Sequence, residues 1–149
     1  MRPEDLEVAF TWFNELNIVS QLATNQFERS LPDDMTVSQF SVLNWFIRVD
    51  TEATPARLAT AFQVTRGAMT NTLKKLEQKG YVAIRPNEDS GRSKLVTLTP
   101  AGSAARLDAM KAAGPLLAEF VDRFGTKSIT AQLPLIQEIR AYLDERRYR

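Results

Sequence analysis

Apolar positions follow a helical period along most of this chain and give way to strand-like runs only between residues 81 and 98. From Pro3 to about Arg29, Leu6, Phe10, Phe13 and Leu16 share one side, while Val8, Trp12, Val19, Leu22 and Phe27 widen the stripe. A helix apolar over more than one face is buried against several neighbours. Two readings stay open for it: a central core helix of a monomer, or a helix that gives part of its surface to another subunit. Leu31-Pro32-Asp33-Asp34 ends it. Thr36 is placed to cap a second helix running to about Val49, with Val37, Phe40, Leu43, Phe46 and Ile47 inward and Trp45 at its side. Asp50-Thr51-Glu52-Ala53 reads as a break. Thr54-Pro55 then supplies an N-cap and a first-turn proline for a short helix with Leu58, Ala59 and Phe62 on its apolar face.

The next stretch, Val64 to Tyr81, has both its ends written in it. Thr65 is a suitable N-cap, and Gly80 is a suitable stop because glycine enters the left-handed conformation cheaply. Met69, Leu73 and Leu76 recur at i, i+4 and i+7 along one stripe, so Arg66, Gly67, Thr70, Asn71, Lys74, Lys75 and Gln78 fall opposite. That outward set is basic, amide-bearing, hydroxyl-bearing and small, the groups that reach base edges and phosphates in a DNA major groove. An ordinary solvated helix face has the same polarity, and the stretch alone leaves both readings open. A short helix, a tight turn and this helix in succession make a helix-turn-helix.

After Gly80 the pattern changes. Tyr81 to Arg85 and Lys94 to Leu98 are rich in β-branched and aromatic residues, and the polar segment Pro86 to Ser93 joins them into a two-stranded hairpin. Arg92 in its tip is either a solvated loop residue or a group for the narrow, negative minor groove. Thr99-Pro100 opens a helix expected to run to Phe124 with a kink at Gly114-Pro115, and Gly125 stops it. A last helix, starting between Ser128 and Pro134, carries Leu133, Ile136, Ile139 and Leu143 inward and ends in the basic tail Arg146-Arg147-Tyr148-Arg149. The pattern predicts a mainly α fold with a small antiparallel β-hairpin wing. It forms a single unit over residues 1–149 with no repeat or linker, in which the terminal helices bracket the helix-turn-helix and are expected to pair.

Composition narrows the chemistry. With 149 residues, 44% hydrophobic and 25% charged, the chain is ordinary globular material. No apolar run approaches the roughly 18 to 20 residues of a membrane span, and Met-Arg-Pro-Glu-Asp-Leu lacks the apolar core of a signal peptide, so a cytoplasmic location and no membrane partner are expected. The absence of Cys and His removes disulfides, thiol switches, thiolate or imidazole nucleophiles and almost every transition-metal site. With no paired-carboxylate spacing either, the expectation is of no enzyme, no cofactor and no metal. Formal net charge is only +1, but from Arg66 to Lys94 there are seven basic residues against three acidic ones. That local +4 on a near-neutral chain suits an anionic partner. The aromatic pair Trp45 and Phe46 reads either as core or as the lining of a ligand cleft.

With those residues in view, the chain resembles the MarR family of winged-helix transcription regulators over essentially its whole length. The matching pieces stand in order: Thr36-Val-Ser-Gln-Phe-Ser-Val-Leu43, Thr54-Pro-Ala-Arg-Leu-Ala59, Val64-Thr-Arg-Gly-Ala-Met-Thr-Asn71, Leu76-Glu-Gln-Lys-Gly-Tyr-Val82, Arg85-Pro86 and Gly91-Arg-Ser-Lys-Leu-Val-Thr-Leu-Thr-Pro-Ala-Gly102. The resemblance implies a winged helix-turn-helix over residues 36–99 and a homodimer made by helices within 1–31 and 100–149. Its partner is double-stranded DNA, bound sequence-specifically at a near-palindromic operator, most simply as a repressor. Thr65, Arg66, Gly67, Thr70, Asn71, Lys74 and Lys75 match the reading-helix positions, and Arg92 matches the wing arginine. It also implies a small aromatic or anionic effector, for which Trp12, Trp45 and Phe46 are the candidate ligand-binding residues. Many relatives carry an Asp two residues before the wing Arg, where this chain has Ser90 beside Asp89. Either Asp89 takes over from one residue away, or Arg92 is less restrained. The competing class is a winged helix used as a protein-interaction module, with Arg66 and Lys74 on an acidic partner.

Overall fold

Four threonines punctuate the fold. Gln39 donates its backbone N–H to Thr36 Oγ1 at 3.1 Å, Arg57 to Thr54 at 3.2 Å, Ala68 to Thr65 at 3.1 Å and Gly102 to Thr99 at 3.0 Å. Each satisfies an orphan donor of a first helical turn and contributes about 1 kcal/mol. A computed structural model describes residues 1–147; Tyr148 and Arg149, the end of the basic tail, lie outside the described residues. The elements are α1 (Pro3–Ser30), α2 (Val37–Arg48), β1 (Glu52–Ala53), α3 (Pro55–Phe62), α4 (Arg66–Gln78), β2 (Val82–Pro86), β3 (Lys94–Leu98), α5 (Pro100–Ala112), α6 (Gly114–Phe124) and α7 (Thr126–Arg146). They divide into two compact units, Met1–Ala113 and Gly114–Arg149.

In the first unit the core lies where α2, α3 and α4 meet the sheet. Val42, Leu43, Leu58, Leu73, Leu76, Val82 and Val96 are its largest fully buried side chains, with Met69 beside them. On α2 the buried stripe is Gln39, Val42, Leu43 and Phe46, joined by Trp45. Trp45 therefore points inward rather than sideways, with the Arg57 guanidinium of α3 over its ring at 5.0 Å. Ile47, expected inward, falls on the opposite edge of the stripe and is 49% exposed. The break expected at residues 50–53 contains β1, which pairs antiparallel with β3 through Glu52 opposite Thr97 and Ala53 opposite Val96. The wing is thus a three-stranded sheet in the order β1-β3-β2, not a hairpin alone.

Gly80, at φ +78°, ends the α4 region in the left-handed conformation that glycine adopts without strain. The next turn docks on α5: Thr99 donates its N–H to the Tyr81 carbonyl at 3.1 Å and its hydroxyl to the Gly80 carbonyl at 2.6 Å. Gly102 sits so close behind Tyr81 that a Cβ there would collide with that backbone. Arg106 Nε of α5 donates to Asn44 Oδ1 of α2 at 2.9 Å, a second tie between α5 and the core. α1 differs from all of these, since none of its residues is buried.

In the second unit, α6 and α7 form a helical pair with an apolar groove lined by Phe120, Phe124, Ile129, Leu133 and Ile136. The single kinked helix expected from Thr99 to Phe124 is two helices, one ending at Ala112 and the next opening at Gly114. α7 starts at Thr126, earlier than expected, because Gly125 both closes α6 and opens α7 at φ +80°. Pro134 lies inside α7. A proline there forfeits one backbone hydrogen bond, and the surrounding turns still carry the helix through.

Candidate nucleic-acid interface

α4 is held from below and open above. Its apolar stripe faces the core, and Thr65, Arg66, Gly67, Thr70, Asn71, Lys74 and Lys75 are all exposed. The i, i+4 spacing sorts the exposed residues into two adjacent rows, Arg66-Thr70-Lys74 and Gly67-Asn71-Lys75. The first row lines one side of a groove of about 590 Å³, and Arg92 and Lys94 of the wing line it too, over a floor that includes Leu73 and Ile84. Arg66, Thr70, Lys74 and Arg92 are thus brought together around one concavity. Gly67, Asn71 and Lys75 share α4 without lining the groove, and Thr65, whose Oγ1 accepts the cap bond from the Ala68 N–H, stands exposed at the helix start. Glu77 lines the groove as well, and its carboxylate forms no ion pair among the described residues.

The basic residues of this region divide by what they touch. Lys79 Nζ donates to Gln39 Oε1 at 2.8 Å and to the Asp33 carbonyl at 3.0 Å, so it ties the end of α4 to α2 and to the loop after α1. Gln39 is the one polar side chain buried in the core of the described residues. Asp33 and Asp34 in that loop have φ of 56° and 51°, a conformation that Asp tolerates better than most residues. Arg85 on β2 pairs with Glu52 of β1 at 3.2 Å. By contrast Arg66, Lys74, Lys75, Arg92 and Lys94 have no carboxylate within salt-bridge distance among the described residues. An ammonium or guanidinium in that state presents its full charge to whatever approaches. Lys94 is the residue that the sequence reading left out of the site; its signal was its position one strand residue beyond the wing tip.

The wing tip has its own order. Asn87 donates its backbone N–H to the Ser93 carbonyl at 3.1 Å and its side-chain amide to Ser93 Oγ at 3.0 Å. Asn87 Oδ1 accepts from the Asp89 N–H at 3.2 Å, and the Asn87 carbonyl accepts from the Ser90 N–H at 3.1 Å. Asp89 does not pair with Arg92, whose side chain is exposed and has no hydrogen bond among the described residues. At the other edge of α3, Arg57 donates to Asp50 Oδ2 at 2.7 Å and, with the Thr51 N–H, holds the Asp50 carboxyl below its ordinary value of 3.8.

The three aromatic candidates for a ligand are placed differently. Trp45 is 8% exposed and Phe46 3%, and they meet edge to face at 5.4 Å within the core. Trp12 on α1 is half-buried and meets Phe13 edge to face at 5.0 Å. No group of His, Cys, Asp or Glu among the described residues is arranged to hold a metal ion, and no described helix is long and apolar enough to cross a membrane.

Residues 33–93 match the family model of the MarR family. The Multiple antibiotic resistance protein MarR of Salmonella typhimurium is 41% identical over 73 residues, 49% of this chain and 50% of that protein. The MarR of Escherichia coli (strain K12) matches to the same extent, so the chain spans about half the length of the curated relatives it matches. Among solved structures, a mutant MarR from E. coli complexed with operator DNA is 31% identical, with a TM-score of 0.64, over 85% of this chain and 96% of that one. Wild-type MarR from E. coli in its apo form has a TM-score of 0.74 at 29% identity, over 85% of this chain and 93% of that one. The transcriptional regulator BldR from Sulfolobus solfataricus has a TM-score of 0.79 over 95% of this chain and 99% of that one; at 22% identity the likeness is one of fold.

Proposed function

We propose, since the chain belongs to the MarR family, that it is a dimeric transcription regulator of the cytoplasm that binds double-stranded operator DNA sequence-specifically and represses by occupying it. The observation that carries this reading is the pair of exposed rows on α4, whose basic groups have no acidic partner among the described residues, beside a wing that adds Arg92 and Lys94 to the groove lined by the first row. In this reading residues 36–99 are the DNA-binding part, and helices of 1–31 and 100–149 make the dimer. Arg66 and Asn71 read base edges from the first turns of α4, Gly67 lets the backbone approach, Thr65 and Thr70 support the contact, and Lys74 and Lys75 hold phosphates. Arg92 enters the minor groove. Two-fold symmetry then calls for a near-palindromic site with half-sites roughly 10 base pairs apart.

Regulation in this reading comes from a small aromatic or anionic molecule, for which half-buried Trp12 is the accessible one of the three aromatic candidates, Trp45 and Phe46 being closed in the core. The molecule acts by favouring a dimer geometry in which the two reading helices no longer match successive major grooves, and its effect is bounded by its differential affinity for the two geometries. Thiol oxidation has no cysteine to act on. Selection of bound duplexes from a random pool tests the whole reading. A near-palindromic consensus is expected, with preference altered by Arg66→Ala and Asn71→Ala. Recovery of no consensus, or the same consensus from both variants at unchanged affinity, refutes it.

A further inference from the structure

We propose that Asn87 is the positioning residue for Arg92: it closes the wing tip across its base and so pre-orders the basic side chain that the tip carries toward DNA. The inference rests on the DNA-binding reading above and deepens it. Arg92 has no ion pair or hydrogen bond of its own among the described residues, and the nearby acid Asp89 does not hold it. Its place is therefore set by its backbone.

That backbone is fixed at both ends by Asn87. On one side Asn87 holds Ser93, the residue next to Arg92, through two bonds: N–H to the Ser93 carbonyl at 3.1 Å and side-chain amide to the Ser93 hydroxyl at 3.0 Å. On the other side its two oxygens accept the N–H groups of Asp89 at 3.2 Å and Ser90 at 3.1 Å, which turns the chain back. Ser90 in turn accepts the Ser93 N–H at 3.4 Å. Gly91 and Arg92 are thus carried as a short arch between two clamped ends, Ser90 and Ser93. A loop that is already closed does not have to be ordered when it meets a ligand, and the ordering cost moves from the binding step to folding. The side chain of Asn87 supplies two of these bonds and its backbone the other two, so truncation loosens the tip without removing it. The β2-β3 ladder, which ends at Pro86 opposite Lys94, lies outside the tip.

The test is a double-mutant cycle on the full chain, with fluorescence anisotropy against a duplex recovered from the random pool. Arg92→Ala is expected to weaken binding about tenfold and to lower the salt slope by about one. Asn87→Ala is expected to weaken it about fivefold with the salt slope unchanged, and to add nothing in an Arg92→Ala background. Ser93→Ala, which removes one of the two side-chain bonds of Asn87, is expected to give part of the Asn87→Ala loss, again with the salt slope unchanged. Thermal unfolding of all three should stay that of the parent protein. Full additivity of Asn87→Ala and Arg92→Ala, or an Asn87→Ala variant that binds as well as the parent while Arg92→Ala is weakened, overturns the positioning role and leaves the DNA reading standing. An Arg92→Ala variant with unchanged affinity overturns the wing contact itself, and the positioning role with it.

Discussion

α1 and α4 show apolar stripes of the same period, yet the chain treats them in opposite ways. On α4, Met69, Leu73 and Leu76 are buried against α2, α3 and the sheet. On α1, 28 residues long, no side chain is buried, and Phe10 remains 74% exposed. Periodicity says which face of a helix avoids water. It does not say which molecule covers that face. The proposed dimer gives α1 its cover, since an uncovered apolar surface of that extent marks an interaction site.

The sharpest separation of the two helices is a charge placed on α1. Phe10→Glu should leave the fold intact, because the ring is exposed in the single chain, but sedimentation should show monomer. Affinity for the operator is then expected to fall about 10²- to 10⁴-fold, the loss that follows when two linked contacts become one. An unchanged dimer would remove α1 from the interface. Next in size is α4's buried face, where Leu76→Ala should destabilise the protein by about 2–5 kcal/mol in urea unfolding, through lost burial and the cavity left behind. The same truncation at Leu22 of α1, exposed in the chain, should cost the monomer little.

The exposed face of α4 gives a smaller and more selective effect. Lys75→Ala should weaken binding to all duplexes alike and reduce the salt slope by about one. Lys79→Ala should leave that slope unchanged and lower stability instead, since its ammonium is engaged by Gln39 and Asp33. The smallest effect concerns Tyr81, just past the end of α4. Burial, reinforced by the charges of Asp33 and Asp108, pushes its phenol above the ordinary 10.0. The folded state thus holds that proton more tightly than the unfolded one. The associated stability is complete below pH 10 and lost as pH rises through the folded value. Absorbance at 295 nm should show a late-titrating component that Tyr81→Phe abolishes.

What the sequence made legible was local. Thr36, Thr54, Thr65 and Thr99 each announce a helix start through a bond to a residue three positions on, and Gly80 and Gly125 announce stops through their own φ. The inward set of α4 follows from a spacing contained in one element. What stayed hidden depended on distant partners. β1 is two residues long, too short for any period, and exists because β3 pairs with it. Trp45 turns inward, and Ile47 outward, according to where α3 lies. Lys79 belongs by sequence to the basic set, but its acceptors are 40 and 46 residues away, and the Glu52 that holds Arg85 is 33 residues away. The site residues could be named from the outward face of α4. Their sorting into a groove row and an outer row required the wing in place.

The two-residue strand β1 has a mechanical result. It joins the approach to α3 to the central strand of the wing, and the Arg85-Glu52 ion pair reaches across that same strand. The segment that enters the helix-turn-helix and the strand that carries the wing are therefore hydrogen-bonded as one piece. In the proposed complex this fixes the span between the bases touched by α4 and the step where Arg92 enters. The protein then works as a ruler along the duplex, and an operator with one base pair inserted between those two contacts is out of register for one of them.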